Sequence, residues 1–161
     1  MKPIERNTNH YLDTLLTYYE EEVMGEAYLY GLGENFQNTD ERNKLDLLAQ
    51  VERIAAETLR PLLDKYGLIP RDNALLKTLG EADVESHRHF TWNEFMEYIV
   101  VRYPAYTRAF RALERIAPKE DLPTLKRLTD HEVATIDFAR SEINGDPNSV
   151  APLRQYLNGC V

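Results

Sequence analysis

The chain has 161 residues, of which 43% are hydrophobic and 29% charged, as expected for a soluble globular protein of one domain. Its net charge of −8 argues against a nucleic-acid partner, because binding to phosphates needs a basic face. No apolar run has the length of a membrane span or the pattern of a signal peptide, so we expect a cytoplasmic protein without membrane association. The single cysteine, Cys160, has no partner for an internal disulfide.

Apolar residues at helical spacing predict two long helices in the first half of the chain. The first covers about residues 8–36 and the second about residues 40–67. N-cap candidates before the second helix are Asn38, Thr39 and Asp40, and Gly67 ends it with Pro70 just beyond. Because only a few polar residues separate the two helices, we expect them to form an antiparallel hairpin.

A long connection, residues 68–90, follows this hairpin and contains a possible short helix at residues 74–79. Fully extended, it could reach about 70 Å, whereas a helix of the predicted length spans only about 40 Å. The connection can therefore cross from one end of a helical bundle to the other. His87 and His89, near its end, are expected in a solvated loop.

Two further helices are predicted at about residues 91–117 and 121–144. Pro104 should kink or interrupt the first of them, and Pro118 closes it. These helices should form a second antiparallel hairpin. The predicted fold is thus all-α, with two antiparallel hairpins joined by a long crossover, and an up-down-up-down bundle with a bulky middle loop is the alternative.

Three glutamates, Glu26, Glu52 and Glu132, occupy positions on the apolar stripes that should face the core. A buried carboxylate without a partner is costly, so a cation, an arginine or a raised pKa should compensate each of them. The nearby acidic run, residues 20–22, is expected to be a solvated flank with one edge near the core.

The hairpin geometry places Glu26 within a turn of the level of Glu52. At the level of Glu132 the third helix has no acidic residue, since residues 98–113 contain neither Asp nor Glu. Tyr103 and Tyr106 fill that part of the stripe and, with Tyr30, could donate hydrogen bonds to the carboxylates. Arg102 is a further candidate for a buried counter-charge.

The order Glu26, then Glu52 in LLAQVERIAAETLRPLL, then Glu132 in LTDHEVATIDFARSEING resembles the ferritin-like superfamily, which includes the rubrerythrins, over about residues 8–145. This resemblance implies a ferritin-like four-helix bundle. Members are di-iron carboxylate oxidases, oxygenases, peroxide reductases and iron stores, and some relatives have lost the metal. The resemblance implies a metal site at Glu26, Glu52 and Glu132 that would hold iron or manganese.

The chain departs from the family pattern at the nitrogen ligands. Each Glu-x-x-His pair of the family is incomplete, because Ala55 and Thr135 stand where histidines would be. His131 is the nearest imidazole, but it lies about 100° around the helix from Glu132 and is expected to point outward, partly exposed. It is therefore a weaker candidate ligand than the three glutamates.

These observations leave three functional hypotheses open. The first is a degenerate, non-catalytic carboxylate site without a cofactor, in a bundle that forms a homodimer through an apolar face rich in tyrosine and Trp92. The alternative is a di-iron or di-manganese oxidoreductase with a carboxylate-rich, histidine-poor site. The third is a carrier that binds a small ligand in the tyrosine-lined core.

Overall fold

The computed structural model describes the backbone of residues 3–159 and the side chains of residues 8–159, so Cys160 lies outside the described residues. Within this range the chain is helical and contains no strand, which confirms the all-α prediction. In chain order the α-helices are α1 (Pro3–Gly33), α2 (Thr39–Tyr66), α3 (Asn73–His87), α4 (Trp92–Arg102), α5 (Pro104–Ile116), α6 (Leu122–Ile143) and α7 (Ala151–Asn158), with a 3₁₀ turn at Lys119–Asp121 before α6.

The helix ends follow from local chemistry. The Asn38 side chain accepts hydrogen bonds from the backbone N–H groups of Asp40 and Glu41 and so caps the start of α2. Gly67 ends α2 with a φ of 64°, a left-handed conformation that glycine adopts without a steric penalty. Pro104 divides the third predicted helix into α4 and α5 at Tyr103, as its missing N–H predicts.

Two elements differ from the sequence-based expectation. The crossover helix α3 is much longer than residues 74–79, because Leu76, Gly80 and Val84 recur every four residues and are buried. Helix α7 was not predicted at all. It buries Leu153 and Tyr156 in contact with α6 and α2.

Contacts between side chains give the directions of the long helices. Tyr11 packs on Tyr66 at one end of the α1–α2 pair, and Glu26 pairs with Arg53 nearer the other end, so these helices are antiparallel. Helices α4 and α5 pack against α6, and α2 also contacts α6. The crossover helix α3 packs along α1, with Gly80 directly against the backbone of Met24.

A buried carboxylate, Asp121, joins three segments at one end of the molecule. Its oxygens accept hydrogen bonds from the hydroxyl groups of Tyr11 (2.7 Å) and Tyr66 (2.6 Å) and from the ammonium of Lys65 (2.6 Å). Burial alone would raise the pKa of Asp121, but the hydrogen bonds from Lys65, Tyr66 and Tyr11 outweigh it and lower that pKa below its ordinary value.

The apolar core consists of two clusters that follow one another along the helices. One contains the second half of α1, the start of α2 and the second half of α6, and the other contains the first half of α1, the end of α2 and the start of α6. The polar residues described below lie where the two clusters meet. Within residues 3–159, no helix combines the length and apolar character needed to cross a bilayer.

Candidate metal centre

Three helices bring four polar side chains together between the two apolar clusters. Glu22 comes from α1, Glu52 from α2, and His131 and Glu132 from α6. The Nε2 atom of His131 lies 2.9 Å from a Glu22 oxygen, 3.7 Å from a Glu52 oxygen and 3.6 Å from a Glu132 oxygen. The structure therefore assembles two of the three predicted glutamates, adds Glu22 and centres the group on a histidine.

His131 is fully buried, with 0% of its side chain exposed, so the expectation that it points outward was wrong. The reason lies partly in α7, because the ring of Tyr156 from that helix lies 6.2 Å from the His131 ring. On another side the ring of Phe110 from α5 lies 5.7 Å away. Helices α5 and α7 therefore both cover the part of α6 that carries His131.

The imidazole of His131 is oriented by the backbone of its own helix. Its Nδ1 atom contacts the carbonyl oxygen of Leu128, and because a carbonyl can only accept, Nδ1 must carry the hydrogen. In the neutral ring, Nε2 then has a free lone pair directed at the carboxylates. This is how a metal-binding histidine is usually fixed, with one nitrogen donating to a carbonyl and the other left for the ion.

Glu26 lies outside this group, contrary to its predicted role in the core. Its carboxylate pairs with the Arg53 guanidinium at 2.6 Å, in the α1–α2 groove. Glu22, one helical turn earlier, occupies the core position instead. Gly25 on α1 leaves room for the Glu52 side chain, since a Cβ atom at Gly25 would lie 2.9 Å from a Glu52 oxygen.

Burial dominates the electrostatics of the three carboxyl groups. It raises the pKa of Glu22 to about 8, an effect that a hydrogen bond with Glu52 partly offsets and the charge of Glu132 reinforces. Burial also raises the pKa of Glu132 to about 8, although the nearby His131 opposes the rise. Burial and the neighbouring Glu22 raise the pKa of Glu52 well above its ordinary value. Without a cation, burial therefore favours the protonated form of these carboxyl groups.

Three atoms of this group are buried without a hydrogen-bond partner: Nε2 of His131, one oxygen of Glu22 and one oxygen of Glu132. Although His131 and Glu22 approach to 2.9 Å, their geometry does not satisfy a hydrogen bond. Buried polar atoms normally find partners, and a cation or a proton would supply one for these three atoms. One potential ligand atom from each of Glu22, Glu52 and His131 lies within 4.8 Å of the others, which suits a single metal ion.

The remaining predicted partners of the carboxylates are arranged differently from the expectation. Arg102 is exposed and supplies no buried counter-charge. Tyr30 is 36% exposed and its hydroxyl accepts a hydrogen bond from Arg53. Tyr103 and Tyr106, by contrast, line a cavity that also reaches Glu22, Glu52 and Glu132.

The two histidines of the crossover lie in different environments. His89 is exposed, as expected for a solvated loop. His87 instead belongs to the last turn of α3, half-buried, with its Nδ1 atom 2.6 Å from the hydroxyl oxygen of Tyr28. Its ring stacks on Phe90, and it lines the same cavity as Tyr103.

Comparison of this chain with protein-family models, with curated proteins and with solved structures found no match.

Proposed function

We propose that this protein binds one divalent transition-metal ion through Glu22, Glu52 and His131, with Glu132 beside the ion. The observation that carries this proposal is the His131 lone pair. It faces three carboxylate oxygens within 3.7 Å, while the other ring nitrogen is held by a backbone carbonyl. A cation at this point would give the unpartnered atoms of His131, Glu22 and Glu132 a common partner.

The donor set favours iron or manganese. Carboxylate oxygens suit magnesium, calcium and manganese, whereas imidazole nitrogen suits zinc, copper, iron and nickel. A site with three carboxylates and one imidazole combines both classes, and it lacks the thiolate or thioether that would select copper(I). A single imidazole also favours one ion rather than a pair, because di-iron sites of helical bundles use two.

We also propose that the helices form a ferritin-like four-helix bundle. Support comes from the antiparallel α1–α2 pair, from the packing of α4 and α5 on α6, and from the crossover helix α3 that packs along α1. In such bundles the metal ligands project inward from facing helices at one level. Glu22, Glu52 and His131 meet in that way.

One side of the proposed site faces a cavity of about 450 Å³, which Glu22, Glu52 and Glu132 help to line. Structural metal sites are closed by protein ligands, whereas sites that act on small molecules keep one position accessible. The cavity therefore favours an ion that is accessible to small molecules, rather than an ion that only stabilises the packing of the helices.

The competing possibility is a metal-free cluster in which protons alone neutralise the carboxyl groups. The raised pKa values of Glu22 and Glu132 describe that state, and metal binding would have to displace those protons. The two possibilities differ in whether the protein takes up a metal ion when one is offered.

The test is metal content after purification without a chelator, followed by titration of the metal-free protein with iron(II) under anaerobic conditions and with manganese(II). We expect one ion per chain for the wild type. Glu52→Gln keeps the size of the side chain but removes its charge and should weaken binding at least about a hundredfold. The matched control is Glu57→Gln, an exposed glutamate on the same helix, which should bind like the wild type.

Two results would contradict this proposal. Failure of the folded wild type to take up either ion would leave the metal-free cluster as the correct description. Binding that survives both Glu52→Gln and His131→Gln would place the ion elsewhere. A stoichiometry of two ions per chain, both lost in Glu52→Gln, would replace the single ion with the dinuclear centre of the oxidoreductase hypothesis.

A further inference from the structure

The cavity beside the proposed metal site is larger than an ion needs. Its volume is about 450 Å³, whereas a water molecule in the liquid occupies only about 30 Å³. An ion with a few bound waters would fill a small part of this space. The volume falls within the range of cavities that hold small organic ligands, about 300–1,000 Å³.

Acidic side chains dominate the charge of the cavity wall. It is lined by Glu22, Glu52 and Glu132 at the inner end and by the exposed residues Glu21 and Asp83 toward solvent. Among the described residues, no lysine or arginine lines it. The exposed Glu21 and Asp83 keep the outer part of the wall negative in both states, whereas protons or the proposed ion offset the charge of the three inner carboxyl groups. Anions should be excluded and cations attracted.

Two of the inner carboxyl groups lie at the cavity wall and are almost completely buried. Glu22 and Glu132 are each 4% exposed, and each has a buried oxygen without a hydrogen-bond partner. Because burying such an atom without a partner is costly, a positively charged occupant would be stabilised here. These two oxygens without hydrogen-bond partners distinguish the cavity from a surface patch of exposed carboxylates.

Half of the remaining residues that line the cavity carry phenyl or phenol rings: Tyr28, Tyr98, Tyr103, Tyr106 and Phe110. Tyr98 stands at 77° to Tyr103, and Tyr103 at 83° to Tyr106, so successive rings meet edge to face. Perpendicular rings around a space present faces and edges to it from several directions. Aromatic faces attract cations, and a set of them is the usual site for an alkylated ammonium group.

From this combination we infer that the cavity binds an organic ammonium ion that carries an apolar substituent. The acidic groups supply the charge complement, and the tyrosine rings supply both cation–π contacts and apolar surface for the substituent. This inference goes beyond the metal proposal and does not need it, since the outer part of the wall is negative in both states.

The probe is benzyltrimethylammonium chloride, because its nitrogen has no lone pair and cannot coordinate a metal. Benzoate and benzyl alcohol are the anionic and neutral counterparts of similar size. Titration calorimetry with the full chain, once with chelator and once with manganese, should show saturable binding of the cation in both conditions. In the presence of chelator, where benzoate has no metal ion to coordinate, the two counterparts should bind at least about tenfold more weakly than the cation.

Two variants locate the binding. Tyr98→Leu removes one ring and Asp83→Asn removes one charge at the exposed rim, and each should weaken binding of the cation about three- to tenfold. The matched controls are Tyr30→Leu and Glu81→Gln, which do not line the cavity and should bind like the wild type. Asp83 is exposed, so Asp83→Asn keeps the test informative even if Tyr98→Leu fails to fold.

The inference is wrong if the cation shows no saturable binding, if benzoate binds as tightly, or if neither variant differs from its control. Metal content is measured on the same samples, so the two proposals can fail separately. Cation binding by a chain that takes up no metal would refute only the metal site, and normal metal uptake without cation binding would refute only the ammonium site.

Discussion

The metal-free protein should become less stable as the pH rises from about 5 to about 9, and metal should remove this dependence. Burial raises the pKa of Glu22 from 4.5 to about 8 and that of Glu132 from 4.5 to about 8. Between these values the folded state holds protons that the unfolded chain has released. The stability that these two carboxyl groups contribute is therefore fully present below their unfolded pKa of 4.5. It is lost as the pH rises through their folded pKa of about 8.

The magnitude follows from the size of the pKa change. One pKa unit corresponds to about 1.4 kcal/mol, so one such carboxyl group costs up to about 5 kcal/mol when it must ionise in the folded state. Relaxation and entry of water through the adjoining cavity reduce this value. Even so, a loss of about 5 kcal/mol is comparable with the whole stability of a small domain, and it corresponds to a fall in Tm of about 10–20 °C.

The assay is thermal unfolding followed by circular dichroism in the presence of chelator, across this pH range. The control is the triple variant Glu22→Gln, Glu52→Gln, Glu132→Gln, in which none of the three buried carboxyl groups can ionise. Its Tm should change little with pH, and the wild type should approach that behaviour when manganese is added, because the ion favours the charged carboxylates. A metal-free wild type whose Tm stays level or rises between pH 5 and 8 would show that these carboxyls are not buried as described.

Three further substitutions test the packing around the site. Gly25→Ala would place a Cβ atom 2.9 Å from the Glu52 carboxylate. Metal affinity, measured by titration, should therefore fall about tenfold, while the Tm of the metal-free protein is unchanged. Unchanged affinity would show that Glu52 can move freely. Gly80→Ala would place a Cβ atom 2.2 Å from the Met24 carbonyl oxygen and should cost about 2–3 kcal/mol in urea unfolding, whereas alanine at an exposed position of α3 should cost little. Asp121→Asn should lower the free energy of unfolding by about 1–3 kcal/mol at neutral pH. Because the folded pKa of Asp121 is depressed, its difference from the wild type should shrink as the pH falls through that pKa, and a constant difference would contradict the ion pair.

Much of the helical framework could be predicted because its signals are local. Asn38 acts through its side chain on the adjoining backbone, whereas Gly67 and Pro104 act through their own backbone geometry, and each marks a helix end or break where the pattern placed it. Helix α7 was missed because it is only eight residues long and buries just Leu153 and Tyr156. A stretch that short carries too few apolar positions for its periodicity to be distinguished from a loop.

The candidate site was only partly predictable because the core face of α1 is not defined by sequence alone. This helix contacts α2, α3 and α5, so buried residues occur on several of its faces, and the apolar stripe that selected Glu26 left Glu22 on an expected solvated flank. Arg53 decides between them by drawing the Glu26 carboxylate into the α1–α2 groove at 2.6 Å. The charge opposite each glutamate, rather than the apolar period, was the signal that could have identified Glu22.

The site centres on His131, although a ferritin-like metal helix would carry its histidine at the position of Thr135. Two neighbours on a helix point about 100° apart, so they can reach one ion only if it lies between their directions and close to the helix. The side chains of His131 and Glu132 converge, with Nε2 and a carboxylate oxygen 3.6 Å apart. In the proposed site α6 contributes one imidazole, from His131, with Glu132 beside the ion, and this single imidazole is why we expect one ion where the ferritin-like pattern implies two.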